Sequence, residues 1–195
     1  MKKKPPPQQV RIIGGEYRRT PLAVLEAPGL RPTPDRVRET LFNWLAHLWG
    51  QDFTGRRVLD LFAGTGALGM EAASRGVAHA TLVESHAAAV QGLRATVTRL
   101  KAAHVDVIQA DALAYLGTAP GGWDLVLLDP PFGQEWLARL WPRLPRLLAP
   151  GSLVYVEDDQ PVEPPADFAM LRAARAGAVH YHVLQYRPGD ASSPT

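Results

Sequence analysis

The sequence predicts an α/β fold: a mostly parallel, doubly wound sheet of Rossmann-like type, with a C-terminal antiparallel hairpin and a small N-terminal extension. Three observations predict it. Strand-like apolar runs alternate with helix-like segments from Gly55 to Val156. A glycine loop containing Gly64, Gly66 and Gly69 joins the first such strand to the first such helix. The run Leu125-Val126-Leu127-Leu128 is closed by Asp129-Pro130-Pro131, too short for a helix, and reads as a buried parallel strand.

Length and composition set the frame. A chain of 195 residues fits one domain, able to bury about 70% of its unfolded surface without staples. It has no cysteine, which excludes disulfides, thiolate metal sites and a cysteine nucleophile. No apolar run approaches the roughly 18 residues of a membrane span. Met1-Lys2-Lys3-Lys4-Pro5 leads into no apolar stretch, so a signal peptide is not expected and a cytoplasmic monomer is. Net charge is +2, unevenly spread. Residues 1–40 hold nine Lys/Arg against four acids, whereas residues 41–195 hold 12 against 15. A basic front on a slightly acidic body suits a polyanion partner, the plainer alternative being a solvated charged arm.

Taken in order, residues 1–9 are a basic, Pro-rich tail expected to be disordered. Residues 10–50 form the extension: strands at Val10–Ile13 and Leu22–Leu25, a turn at Pro28-Gly29, then an amphipathic helix to about residue 49. Thr33 suits its N-cap and Pro34 its first helical position. Arg31, Arg36 and Arg38 crowd its start, where the helix dipole favours anions. Residues 51–187 form the sheet domain. Its predicted strands are 57–61, 80–84, 105–109, 125–128 and 153–156. Its predicted helices are 67–74, 87–101, 112–116 and 134–140. Residues 168–174 and 179–187 have no helix between them and read as the hairpin. Residues 188–195 are a polar tail, also expected to be disordered.

In open α/β sheets ligands bind outside the carboxyl ends of strands, which is where the chemistry-bearing residues fall. The glycine loop alone would suggest a dinucleotide. Glu84, ending the second strand, can take a ribose's hydroxyls. Asp60, four residues before Gly64, would repel a pyrophosphate and attract an ammonium. Its plainer role is to anchor the loop's backbone donors. S-adenosylmethionine has ribose, adenine and ammonium and no phosphate, so it fits this set. Asp111, or the backbone N–H of Ala112, can meet an adenine edge, and Asp111 also suits a helix N-cap. The first and fourth strands should be neighbours, bringing Asp129 beside the Asp60 loop. There Asp129 and the Pro130 carbonyl can accept hydrogens from an exocyclic amino group. Pro130 and Pro131 stiffen the turn, and Phe132 can stack a base. The plainer reading is a strand end with a polar cap and a core phenylalanine.

Asp129-Pro130-Pro131-Phe132, together with the Asp60–Gly66 loop, resembles the class I S-adenosylmethionine-dependent amino-methyltransferases. The stretches Arg11-Ile12-Ile13-Gly14-Gly15-Glu16-Tyr17-Arg18 and Gly29–Leu45, with Leu61–Gly69, resemble the bacterial RsmD family over roughly residues 10–187. That resemblance implies a class I methyltransferase fold and methyl transfer to N2 of guanine 966 in 16S rRNA of the small ribosomal subunit. It implies cofactor contacts from Asp60, Phe62, Gly64, Gly66, Glu84, Asp111 and Ala112. It makes Asp129, Pro130, Pro131 and Phe132 the catalytic set, and Arg11, Arg18, Arg31 and Arg36 the RNA contacts. Pro142 and Pro145 are outside the family pattern and have no assigned role.

The residues by themselves leave alternatives open. Adenine N6 or another nucleic-acid amino group suits the same tetrapeptide. An NAD-dependent oxidoreductase would give Asp129 no role, and a non-catalytic RNA-binding protein would use only the basic front. No metal is expected: His79, His86, His104, His180 and His182 lack partners at ligand spacing, and His180 and His182 simply share one face of a strand.

Overall fold

A computed structural model describes residues 10–22, 34–132 and 135–189. The tail to residue 9, the turn at Pro28-Gly29, Arg31, Thr33, Gln134 and residues 190–195 lie outside the described residues. A two-stranded hairpin, β1 (Val10–Arg11) with β2 (Pro21–Leu22), precedes helix α1 (Asp35–Leu48). The sheet domain then runs β3 (Arg57–Asp60), α2 (Gly69–Ser74), β4 (His79–Glu84), α3 (Ala87–Leu100), β5 (Val105–Gln109), α4 (Ala112–Thr118) and β6 (Trp123–Leu128). It continues through α5 (Trp136–Leu140), two 3₁₀ turns (Trp141–Arg143 and Pro145–Leu147), β7 (Leu148–Asp158), β8 (Phe168–Ala176) and β9 (Val179–Tyr186).

The seven-stranded order is β5-β4-β3-β6-β7-β9-β8. The first five strands are parallel, and β9 runs antiparallel between β7 and β8. Central strands buried on both faces need apolar residues at every position, and Leu125 to Leu128 are 0% exposed. Alternation splits them: Leu125 and Leu127 join the extension, α1 and α2 in one core, while Val126 and Leu128 join α4 and Leu140 in the other. The hairpin's Val10, Ile12 and Leu22 belong to the first core, so extension and sheet share one packed interior.

Several boundaries differ from the expectation, each for a local reason. The first strand stops at Arg11 instead of Ile13, because the N–H groups of Ile13 and Gly14 bond to the Glu71 carboxylate (2.7 and 2.9 Å) rather than to a strand. Its partner begins at Pro21, and the expected continuation to Leu25 lies outside the described residues. Helix α1 starts at Asp35: Pro34 has ψ 144°, which is non-helical, and takes the N-cap position itself. Helix α2 starts at Gly69, not Ala67, because the loop closes first through Gly66 N–H to the Ala63 carbonyl (2.6 Å). Strand β7 runs 11 residues, where only Leu153–Val156 was expected. Pro150-Gly151 does not end it but sits in a bulge, where the pairing shifts from Trp123↔Leu148 to Leu125↔Leu153.

Candidate functional site

The carboxyl ends of β3, β4, β5 and β6 carry the candidate site residues. Leu59 to Leu61 are drawn into the core, and this carries Asp60 inward to 1% exposure. Its Oδ2 accepts from Gly69 N–H (2.9 Å) and its Oδ1 from Phe62 N–H (3.4 Å). The geometry therefore carries the anchor reading: Asp60 ties the glycine loop to the start of α2. Burial pushes its carboxyl up to about 7, the Gly69 hydrogen bond opposes this, and the charges of Asp129 and Glu84 push the same way as burial. Gly66 has φ +82°, which favours glycine, and a Cβ there would come 2.5 Å from the Leu93 Cδ2 methyl, which would have to shift.

Glu84 ends β4 half-buried and also steadies this loop. Its Oε2 accepts from Gly64 N–H (2.8 Å) and its Oε1 from His86 N–H (2.7 Å). Asp111, after β5, is exposed and caps α4, its Oδ1 accepting from Leu113 and Ala114 N–H (2.9 and 3.0 Å). Ala112 is buried beneath it. Phe62 is half-buried and meets Trp136 edge to face, ring centroids 5.1 Å apart. The Trp136 indole N–H is buried without a partner among the described residues. Sequence reasoning missed Trp136; a tryptophan four residues after Phe132 was its only signal.

Strand β3 lies beside β6, with Asp60 paired to Leu127, so Asp129 follows two residues beyond Asp60's level. Leu127 pairs in turn with Tyr155 of β7. Asp129 is half-buried, Pro130 buried, Pro131 exposed and Phe132 half-buried. Asp129's charge acts on both Asp60 and Tyr155, which puts all three in one electrostatic neighbourhood. Tyr155 is fully buried and donates to Glu157 Oε1 (2.7 Å), and Glu157 is itself 3% exposed. This pair was also missed. Its signal was present as alternation: Tyr and Glu two apart on one face of a strand otherwise read as apolar.

The basic front divides. Arg11, Arg18 and Arg36 are exposed, and Arg31 lies outside the described residues. Arg38, which the sequence placed among the anion-facing arginines, is fully buried and does not face solvent. Its Nη1 donates to the Arg11 carbonyl (2.9 Å) and its Nη2 to Asp35, because position 38 follows Val37 onto the helix face that packs on α2. His182 is buried against Val156's strand position, and burial lowers its pKa.

A doubly wound sheet with β9 reversed beside β7, a glycine loop after β3 and an acidic strand end beside it define a Rossmann-like methyltransferase fold. The family model described as conserved hypothetical protein 95 matches residues 10–185. The chain belongs to this family, the one its front-end motifs resemble. It is 42% identical over 184 residues to the ribosomal RNA small subunit methyltransferase D of Escherichia coli (strain K12), covering 91% of this chain and 90% of that protein. Among solved structures, a putative methyltransferase, yhhF, from Escherichia coli superposes with a TM-score of 0.82 at 41% identity, covering 92% of this chain and 99% of that one. An RNA methyltransferase from Salinibacter ruber, crystallised with S-adenosyl-L-homocysteine, shares the fold: TM-score 0.63, 20% identity, 84% and 98% covered.

Proposed function

We propose that this protein methylates the exocyclic N2 of a guanine in 16S rRNA, the position equivalent to guanine 966, within the small subunit or its assembly intermediate in the cytoplasm. The observation that carries the proposal is Asp129-Pro130-Pro131-Phe132 at the carboxyl end of β6, directly beside the anchored glycine loop of β3. The names of its relatives, methyltransferases of ribosomal RNA, support the substrate class.

The donor set fits S-adenosylmethionine better than a dinucleotide. Glu84 and Asp111 stand at adjacent strand ends with Asp60 buried behind the loop, so among the described residues a pyrophosphate would meet carboxylates and no cation there. The Trp136 indole N–H beside Phe62, without a partner among the described residues, suits a heteroaromatic ring that carries acceptor nitrogens. Glu84 would hold the ribose, and Asp111 with the Ala112 N–H the adenine. Phe62, Gly64 and Gly66 would line the loop that Asp60 fixes. When bound, the cofactor supplies a methyl group on a positively charged sulfur.

The chain's own work falls on the acceptor. An aniline-like amino group is a weak nucleophile because its lone pair is delocalised into the base. Hydrogen bonds from its two hydrogens to Asp129 and the Pro130 carbonyl localise that pair and stabilise the positive charge that grows on nitrogen, and the methylated nitrogen then gives up one proton through the Asp129 carboxylate to solvent. Phe132 stacks the flipped base and holds the nitrogen in register. Pro131 fixes the turn between them. Arg11, Arg18 and Arg36 hold the surrounding phosphates.

The test offers radiolabelled methyl donor with small subunits, naked 16S rRNA, tRNA and DNA, and identifies the modified nucleoside. N2-methylguanosine in 16S rRNA is expected. N6-methyladenosine, or label only in DNA, would overturn the assignment.

A further inference from the structure

The segment after the catalytic tetrapeptide has a property its prolines explain. Residues 136–156 contain three arginines and no acidic residue, inside a body that is otherwise net acidic. Arg139 lies in α5, Arg143 in the first 3₁₀ turn and Arg146 in the second. Each is followed by a leucine, and Leu140, Leu144 and Leu147 are all 0% exposed, whereas the three arginines are exposed. Spacings of four and three residues keep side chains on one face of a helix. Pro142 and Pro145 stop α5 and convert the chain to 3₁₀ turns, whose three-residue period holds Arg146 in line with Arg143.

The stripe is cationic without internal neutralisation. Arg139 lies over the Trp136 ring (4.9 Å), Arg143 donates to the Arg139 carbonyl (2.6 Å) and Arg146 to the Ala119 carbonyl (3.1 Å). Among the described residues, no carboxylate pairs with any of the three. These carbonyl and ring contacts hold the guanidinium groups in place without cancelling their charge. The leucines beneath them belong to the core that includes α4, on the opposite face of the sheet from the basic front. The stripe begins at Trp136, beside Phe62 of the cofactor loop, and ends near Ala119 at the amino end of the strands.

Resting on the proposal that the substrate is RNA, we infer that Arg139, Arg143 and Arg146 form a second phosphate-binding surface, so that the RNA straddles the carboxyl edge of the sheet. The basic front takes one side of the target nucleotide and this stripe the other. Seven residues at about 1.5–2 Å rise span about 10–14 Å, long enough to follow successive phosphates of one strand. Unstacked bases are read by deep pockets, but the flanking strand is held by its phosphates, so a stripe leading away from the pocket is where the contacts belong.

The test measures binding of the full-length protein to a 16S rRNA fragment across a salt titration. R139A/R143A/R146A is expected to weaken binding about 10- to 100-fold at about 0.15 M salt, and to reduce the slope of log affinity against log salt by about 2–3. The Arg→Lys triple variant should keep most of the slope, because phosphate neutralisation needs charge more than shape. Arg143→Ala alone, which removes an exposed side chain and one exposed hydrogen bond to the Arg139 carbonyl, should lower the slope by about 1, and guards against loss of fold in the triple variant. Cofactor affinity should be unchanged in Arg143→Ala, which leaves the Arg139 contact with Trp136 in place. A slope equal to wild type in both Arg143→Ala and the triple variant would show the stripe to be a solvated face and overturn the inference. If the wild-type protein showed no salt-dependent RNA binding, the RNA reading itself would fall, and the inference with it.

Discussion

Replacing Glu71 tests whether the basic front is built onto the catalytic domain or merely tethered to it. Glu71 is 0% exposed in a helix of six residues. Its Oε2 accepts from Ile13 N–H and its Oε1 from Gly14 N–H, and the Arg75 guanidinium adds contacts of 2.9 and 2.8 Å. Buried Arg38 lies 4.0 Å from the same carboxylate. Glu71→Ala leaves a buried guanidinium with less counter-charge, a loss of about 3–5 kcal/mol. Each orphaned amide adds about 1–3 kcal/mol, reduced where water can reach these part-buried positions. The effects overlap, so about 4 kcal/mol is expected, against a total stability of about 5–15 kcal/mol. Glu71→Gln should cost about half as much, because its amide oxygen still accepts while its NH₂ faces a donor. Urea unfolding gives the free energy, and amide exchange at Ile13, Gly14 and Tyr17 gives the local effect. RNA affinity should fall in parallel, with Arg11 and Arg18 no longer held. A loss below about 1 kcal/mol, with those amides still protected, would refute the reasoning.

Asp129→Ala should lower the single-turnover methylation rate by about two to three orders of magnitude with cofactor affinity retained, and Asp129→Asn should fall between Ala and wild type; equal rates for wild type and Ala would remove Asp129 from the reaction. Glu84→Ala should weaken S-adenosylmethionine binding by about 1.5–3 kcal/mol in calorimetry, because the loop amides of Gly64 and His86 lose their acceptor. Asp60→Asn should change the pH dependence of stability. The buried Asp60 carboxyl titrates near 7 when folded and near 3.8 when unfolded, so the folded state binds more protons between these values and stability falls as pH rises through that window. The Asn variant should flatten this fall, measured as urea midpoints from acid to neutral pH; an unchanged profile would show that Asp60 does not titrate there.

The parts of the fold legible in the sequence are those carried by strand apolarity and punctuation. Leu125–Leu128, closed by Asp129-Pro130, could be read because a strand buried on both faces leaves an unbroken apolar run, and β3 beside β6 followed from the topology of such sheets. The hairpin after Phe168 could be read because no helix intervenes. What could not be read was long-range polar pairing. Arg38 looks like its neighbours Arg31 and Arg36 until the fold places Glu71, 33 positions away in sequence, near it. The early end of β1 depends on the same carboxylate. Strand β7 exceeded its predicted length because a bulge tolerates Pro150-Gly151 where a regular ladder would not.

These long-range pairings converge on α2, whose role in the site goes beyond following a glycine loop. At its start, Asp60 holds the Gly69 N–H; at its end, Ser74 Oγ accepts from Tyr17 N–H and donates to the Gly14 carbonyl. The Ser74 carbonyl receives Glu16 N–H (2.7 Å), and Gly15 approaches so closely that a Cβ would lie 1.8 Å from that oxygen. A six-residue helix is too short to be stable by itself. Its order therefore comes from burial of all six residues in the core and from these bonds at its ends, one set to the strand that precedes the glycine loop and the other to the loop that carries Arg18. One short, buried element thus has the glycine loop bonded at its start and the loop of Arg18 bonded at its end.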